Sequence, residues 1–224
     1  MDIKGFKFAA VEAAIKKPGR LDLALIFSEV PATVAAVFTT NRVKAAPVLI
    51  CQERVKNGTC QAVVVNSGNA NACTGKQGMD DALATARAVA EGVGVPDEAV
   101  LVSSTGVIGQ PLPMDRLSAG VPKLVEALGT GTLDAVANAI MTTDTFPKLE
   151  KRTGSAGGKT YTIAGVAKGA GMIMPNMATM LAFVVTDAAV EPAVLDKVFR
   201  RGVNVSFNAI SVDGDTSTND TAII

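Results

Sequence analysis

Lys168-Gly169-Ala170-Gly171-Met172-Ile173-Met174-Pro175-Asn176-Met177-Ala178-Thr179 leads directly into Met180-Leu181-Ala182-Phe183-Val184-Val185-Thr186-Asp187. A flexible glycine turn and a proline deliver a threonine to the head of a nearly continuous apolar run, the pattern of a buried strand. Upstream, residues 161–166 read as another strand. Ala62-Val63-Val64-Val65 is a compact strand that runs into the turn-forming loop Asn66-Ser67-Gly68-Asn69-Ala70-Asn71, and Val100-Leu101-Val102 is a strand ending in Ser103-Ser104-Thr105-Gly106. Helical patterns cover residues 79–91, 111–128 behind a turn, 133–141 and 191–202. Residues 21–50 run apolar in short bursts, Val48-Leu49-Ile50 among them, broken by Ser28, Pro31 and Thr39-Thr40-Asn41, which predicts short strands and turns. Strands and helices are interspersed without a clean βαβ alternation, so the predicted class is α+β, built in layers.

Composition narrows the chemistry. The chain of 224 residues is 48% hydrophobic, enough for a substantial core. Lys plus Arg (21) equals Asp plus Glu (21), and no basic run interleaved with aromatics occurs, which argues against a nucleic-acid partner. No apolar stretch reaches the roughly 20 residues of a spanning helix and the start lacks a signal-peptide core, so a cytoplasmic location and no membrane partner are expected. Cys51, Cys60 and Cys73 are odd in number and lack C-x-x-C spacing; buried or half-buried free thiols are expected. Histidine is absent altogether. A Ser-His-Asp triad, a Cys-His pair and a His-ligated metal are therefore unavailable within this chain, and any covalent catalyst here needs another base.

A threonine hydroxyl is a weak nucleophile, and without histidine the economical base is the residue's own α-amine, which requires Thr179 to become a chain start. Attack of its hydroxyl on the Ala178 carbonyl, then hydrolysis of the resulting ester, would free that amine. Its ordinary pKa of about 7.7 to 8.0 suits proton exchange near neutrality. On residue pattern alone, Thr179 reads first as an ordinary strand-start threonine, Thr105-Gly106 as an ordinary turn and Lys168 as a solvated loop lysine. The loop of residues 66–71 is assigned no catalytic role. Asp213, Asp215 and Asp220 with Gly214 superficially suggest a calcium loop, but the glutamate expected at its twelfth position is missing, so no metal site is predicted.

The stretch from Lys168 to Ala188 resembles the self-cleavage signature of the ornithine acetyltransferases, also called bifunctional glutamate N-acetyltransferases. So do Val37-Phe38-Thr39-Thr40-Asn41-Arg42 with Ala45-Ala46-Pro47-Val48; the loop 66–75; Ser103-Ser104-Thr105-Gly106-Val107-Ile108-Gly109; Ala139-Ile140-Met141-Thr142-Thr143-Asp144-Thr145-Phe146-Pro147-Lys148; and residues 208–220, all in the family's order. The resemblance implies a layered α/β sandwich of the DmpA/ArgJ-like type with an N-terminal-nucleophile-like site. It implies cleavage between Ala178 and Thr179, Thr179 as nucleophile, Thr105 and Gly106 as the oxyanion hole, and Thr142, Lys168 and Thr179 as substrate-binding residues. Residues 1–178 would then be an α chain and 179–224 the start of a β chain whose remainder is absent, the polar stretch before Ile224 reading as an interruption. The implied partners are N-acetylornithine, glutamate and the two chains in an α2β2 heterotetramer. No cofactor is implied, and some family members also take acetyl from acetyl-coenzyme A. The competing readings are an N-terminal-nucleophile aminopeptidase of related fold and an inactive fragment.

Overall fold

The computed structural model describes residues 3–174 and 180–224. Two sheets form its centre. The first has four strands in the order β1 (Phe6–Val11), β2 (Leu23–Thr33), β4 (Thr59–Asn66), β5 (Val100–Ser104); β1, β2 and β4 pair antiparallel, whereas β4 and β5 are parallel. Parallel neighbours need a long crossover, and helix α2 (Gly75–Val93) supplies it. The second sheet runs β3 (Ala36–Phe38), β9 (Thr221–Ile223), β8 (Leu181–Thr186), β7 (Lys159–Lys168), β6 (Lys148–Ala156). Its β6–β7 hairpin turns through Gly157 and Gly158 at φ 56° and 74°, a left-handed pair that glycine adopts without steric cost.

Side-chain alternation fixes the layers. Leu23, Val64 and Val102 point from the first sheet toward Ala82 of α2 and Leu117 of α3 (Met114–Glu126), while Ile26 and Val63 face the second sheet at Val185 and Ile223. In β8, Leu181, Phe183 and Val185 join the large core shared by both sheets; Ala182 and Val184, with the preceding Met180, join a smaller one under α5 (Pro192–Val205) with Leu195 and Phe199. Both faces of β8 are covered, which is why its sequence is continuously apolar instead of alternating. The result is the expected layered α/β architecture, with helices outside two stacked sheets. Helix α4 (Leu133–Ala139) caps its first turn with the Thr132 hydroxyl, which accepts from the Ala135 N–H at 3.2 Å, and buries Leu133 and Val136.

Two expectations are corrected, and three strands went unread. Val48-Leu49-Ile50 lies in helix α1 (Ala46–Arg54), not in a strand: Pro47 opens the helix in its first turn, and a three-residue apolar run carries no period of its own. Strands β1, β6 and β9 were not legible, being short or, in β6, polar and largely exposed. The thiols differ: Cys51 is buried, Cys60 half-buried, but Cys73 is exposed. Burial pushes the Cys51 and Cys60 thiols up to about 12, so neither is a thiolate near neutrality.

Candidate functional site

The site forms where β4 and β5 end side by side. Asn66 closes β4: its Oδ1 accepts from the Gly68 and Asn69 N–H groups, its Nδ2 donates to Ser104 Oγ at 2.7 Å, and its carbonyl accepts from the Thr105 N–H at 2.9 Å. This asparagine turn packs the loop after β4 against the end of β5 so closely that a Cβ on Gly106 would lie 2.5 Å from the Gly68 carbonyl carbon. Gly106 has φ 138°, a conformation that L side chains rarely adopt, so glycine is required twice over. Among the described residues the Gly106 N–H donates to no acceptor.

Thr105 is buried, and its Oγ1 accepts a hydrogen bond from Lys168 Nζ at 3.1 Å. Because the oxygen is engaged as an acceptor, its own proton remains available to donate. Lys168, at the end of β7 and opposite Leu181 of β8, is 3% exposed and not a solvated loop residue. Burial lowers its pKa, against the upward pull of Asp144 and Asp220; Lys148 adds to the lowering.

Asp144 ties the other sequence-nominated residue to this cluster. Its carboxylate accepts from the Thr142 N–H at 3.2 Å, from the Gly169 N–H at 2.8 Å and from Lys148 Nζ at 2.5 Å. Burial pushes the carboxyl up, but these donors outweigh it and hold the group below its ordinary 3.8. Sequence reasoning missed Asp144 as a brace, since nothing local marks which backbone groups a carboxylate will reach. Asp144→Asn leaves one acceptor oxygen where there were two and removes the charge facing Lys148. We expect a loss of about 2 kcal/mol, the scale of a hydrogen bond to a charged group. Because the folded pKa is depressed, that contribution is complete above 3.8 and is lost as the pH falls through the lower folded value. Thermal melts of the two proteins should therefore converge below that pH.

Ala178 and Thr179 lie outside the described residues, but both flanks of that stretch are held by aspartates from one loop. Asp213 accepts from the Met172 and Ile173 N–H groups at 2.6 and 2.9 Å, and Asp220 Oδ1 accepts from the Met180 N–H at 2.8 Å. Two of the three aspartates in the acidic cluster, Asp213 and Asp220, thus hold backbone N–H groups. Its neighbour Asn219 joins the two sheets, donating from Nδ2 to the carbonyls of Ala70 at 2.6 Å and Ser104 at 2.9 Å. Sequence alone gives Asn219 and Asp220 no role, although both lie in the family-like stretch 208–220 and Asp220 in its acidic cluster.

A cavity of about 490 Å³ lies elsewhere, lined by Ser28, Ala62, Val184 and Ile224 among others, and its described lining includes none of Thr105, Gly106, Thr142 or Lys168.

A family model described as the ArgJ family matches residues 7–224. The chain belongs to the ArgJ family. Among its ArgJ relatives, the arginine biosynthesis bifunctional protein ArgJ of Geobacter sulfurreducens is 72% identical over 224 residues, covering 100% of this chain and 57% of its own length. The chain thus spans little more than half the length of the curated ArgJ relatives it matches. The crystal structure of ornithine acetyltransferase complexed with ornithine from Mycobacterium tuberculosis superposes with a TM-score of 0.69 at 45% identity, over 77% of this chain and 92% of that one. An L-aminopeptidase D-Ala-esterase/amidase from Ochrobactrum anthropi, described as a variant of the Ntn hydrolase fold, shares the fold alone: TM-score 0.59, 14% identity, 99% of this chain and 71% of that one.

Proposed function

We propose that this chain is the nucleophile-bearing part of a glutamate N-acetyltransferase that moves acetyl from N2-acetylornithine to glutamate through an acetyl-Thr179 ester, after cleavage between Ala178 and Thr179. The observation that carries the reading is the hydrogen bond from Lys168 to Thr105, next to the close-packed Gly106, at the strand ends of an ArgJ-family fold. The ornithine bound by the Mycobacterium tuberculosis relative supports the substrate class. Cleavage is supported by a length: that relative's solved chain is nearly used up by an alignment covering 77% of this one, about the share that residues 1–178 make up.

In this reading the Thr179 hydroxyl attacks the acetyl carbonyl while its α-amine takes the proton. The Thr105 hydroxyl and the Gly106 N–H donate to the developing oxyanion, an arrangement whose single donors are worth on the order of 10²-fold to 10³-fold in kcat. Lys168 and Thr142 hold the amino-acid carboxylate. Ornithine leaves with the returned proton, and glutamate repeats the attack on the ester. An acetyl thioester such as acetyl-coenzyme A can load the same hydroxyl, and no metal or organic cofactor enters. Residues 1–178 and 179–224 would stay together after the cut, since β8 and β9 pair with β7 and β3 within one sheet, and we assign the mature cytoplasmic enzyme an α2β2 form. Among the described residues no helix is long and apolar enough to cross a membrane.

The test uses a chain of the relatives' full length, incubated with labelled N2-acetylornithine. Mass analysis should find acetyl on the peptide beginning at Thr179, and added glutamate should carry it off as N-acetylglutamate. Release of free acetate with glutamate left unmodified would assign a hydrolase instead.

A further inference from the structure

The second sheet is paired unequally on the two sides of β8. Strand β7 pairs with six of its residues, Leu181 to Thr186, whereas β9 pairs with three, Leu181 to Phe183. Bond direction shows what is left over. The Asp187 N–H donates to the Thr162 carbonyl at 3.3 Å, so odd-numbered positions here turn their backbone groups toward β7. The Met180 carbonyl accepts from the Thr221 N–H at 3.2 Å, so even-numbered positions turn theirs toward β9. The Val184 carbonyl and the Thr186 N–H therefore face the side on which, among the described residues, β9 offers them no partner. A row of such groups is a template for further strand.

The space beside these groups is the cavity of about 490 Å³. Val184, Val185 and Thr186 line it together with Ile224, and the first sheet closes it at Ile26 and Val63. Ile224 is still held as strand: it donates to the Ala35 carbonyl at 2.9 Å and accepts from the Ala35 N–H at 3.0 Å. Because β9 runs parallel to β8, extended backbone continuing past Ile224 passes alongside Val185 and Thr186, through the cavity. The relatives have chain to place there, since the 224 residues matched in the Geobacter sulfurreducens protein make up 57% of its length. We propose that the segment following Ile224 in a chain of the relatives' full length continues β9 opposite Val185 and Thr186 and fills this cavity. This inference rests on the reading of residues 179–224 as the start of a longer β chain.

Register fixes the details. Phe183 lies opposite Ile223, so Val184 falls opposite Ile224, Val185 opposite the first residue of the segment and Thr186 opposite the second. The N–H of that first residue then donates to the Val184 carbonyl, and its carbonyl accepts from the Thr186 N–H.

Side chains alternate along the extended strand. Ile223 joins the core between the sheets with Ile26, Val63 and Val185, whereas Ile224 packs with the cluster under α5. The first residue of the segment therefore points inward, into an apolar wall, and the second outward toward α5. An apolar side chain is expected at the first position, where a charge would be buried without a partner.

The experiment uses a chain of the relatives' full length. One cysteine replaces the first residue after Ile224 and a second is introduced as Val185→Cys, on the same face of neighbouring strands about 5 Å apart. Mild oxidation and peptide mass mapping should find the two joined. Val184→Cys with the same partner points to the opposite face and should cross-link on the order of tenfold less. Equal yields for the two pairs, or no cross-link in a folded Val185→Cys protein, overturn the proposal. Should the paired variants fail to fold, amide exchange of the unsubstituted full-length chain decides. The Thr186 N–H should then exchange within about tenfold of the Val185 N–H, which β7 holds, and a freely exchanging Thr186 amide overturns the proposal. Uptake of 8-anilinonaphthalene-1-sulfonate by a cavity still open in that chain overturns it as well. Acetyl transfer is read separately: transfer without the cross-link removes this strand and leaves the function standing, whereas the cross-link in a chain that moves no acetyl supports the strand and removes the function.

Discussion

Thr179→Ala, made in a chain of the relatives' full length, is expected to run as one band where the wild type runs as two, and to lose acetyl transfer by on the order of 10⁴-fold or more. Two losses coincide in the one substitution. The hydroxyl that forms the ester is gone, and because cleavage also needs it, the α-amine that would serve as base is never released. Removing the nucleophile of a concerted catalytic group costs as much as removing the whole group, so no partner compensates. Thr179→Ser keeps the hydroxyl and should both mature and turn over. Gel mobility, N-terminal sequencing and the glutamate-dependent assay together check the result, and undiminished transfer in a matured Thr179→Ala protein ends the proposed mechanism.

The second large effect is Gly106→Ala, where stability and catalysis should fail together. At φ 138° an L residue is strained by about 1–3 kcal/mol. The new Cβ would also lie 2.5 Å from the Gly68 carbonyl carbon and 2.7 Å from both Asn69 N and Gly68 O, backbone atoms that cannot rotate away. Something has to move, and it is the pairing of the two strand-end loops that aims the Gly106 N–H. We expect a loss of about 3–4 kcal/mol in all, a fall in melting temperature of roughly 10 °C for a domain of this size. Gly109→Ala is the control: φ is 79° but nothing lies within 4 Å of a Cβ there, so only the conformational cost of about 1 kcal/mol applies. Equal melting temperatures for the two variants would show that the close approach at Gly106 is not the constraint described here.

The longer patterned segments were legible because their chemistry is local. Residues 79–91 lie within α2, 161–166 within β7, and the strand read at 180–186 starts one residue before β8, since a run of a dozen small helix formers or a nearly continuous apolar block is a strong local signal. Val48-Leu49-Ile50 failed for the opposite reason: three apolar residues fit strand and helix alike, and the helix prevails where Ala46, Val48, Ile50 and Cys51 bury together. The site divides the same way. Thr105 and Gly106 were nominated by a resemblance of motifs, and the fold gives them a hydrogen-bond partner and a reason for glycine. Lys168 looked like a solvated loop residue on its own, because burial by β8 and the strand-end loops cannot be read from the residue's immediate neighbours.

By itself the amino-acid sequence determined that no histidine of this chain could serve as base, that apolar strands end in polar, glycine-bearing loops, and that a threonine precedes a continuously apolar run. Those properties belong to residue identity and short-range order. Only the tertiary structure decided that Asp144 braces Thr142 against Gly169, that Asn219 joins the two sheets, and that Asp220 reaches Met180 across 40 positions of chain. Such contacts depend on how two sheets stack, and the free energy that holds them is shared over the whole core, so no single segment announces them.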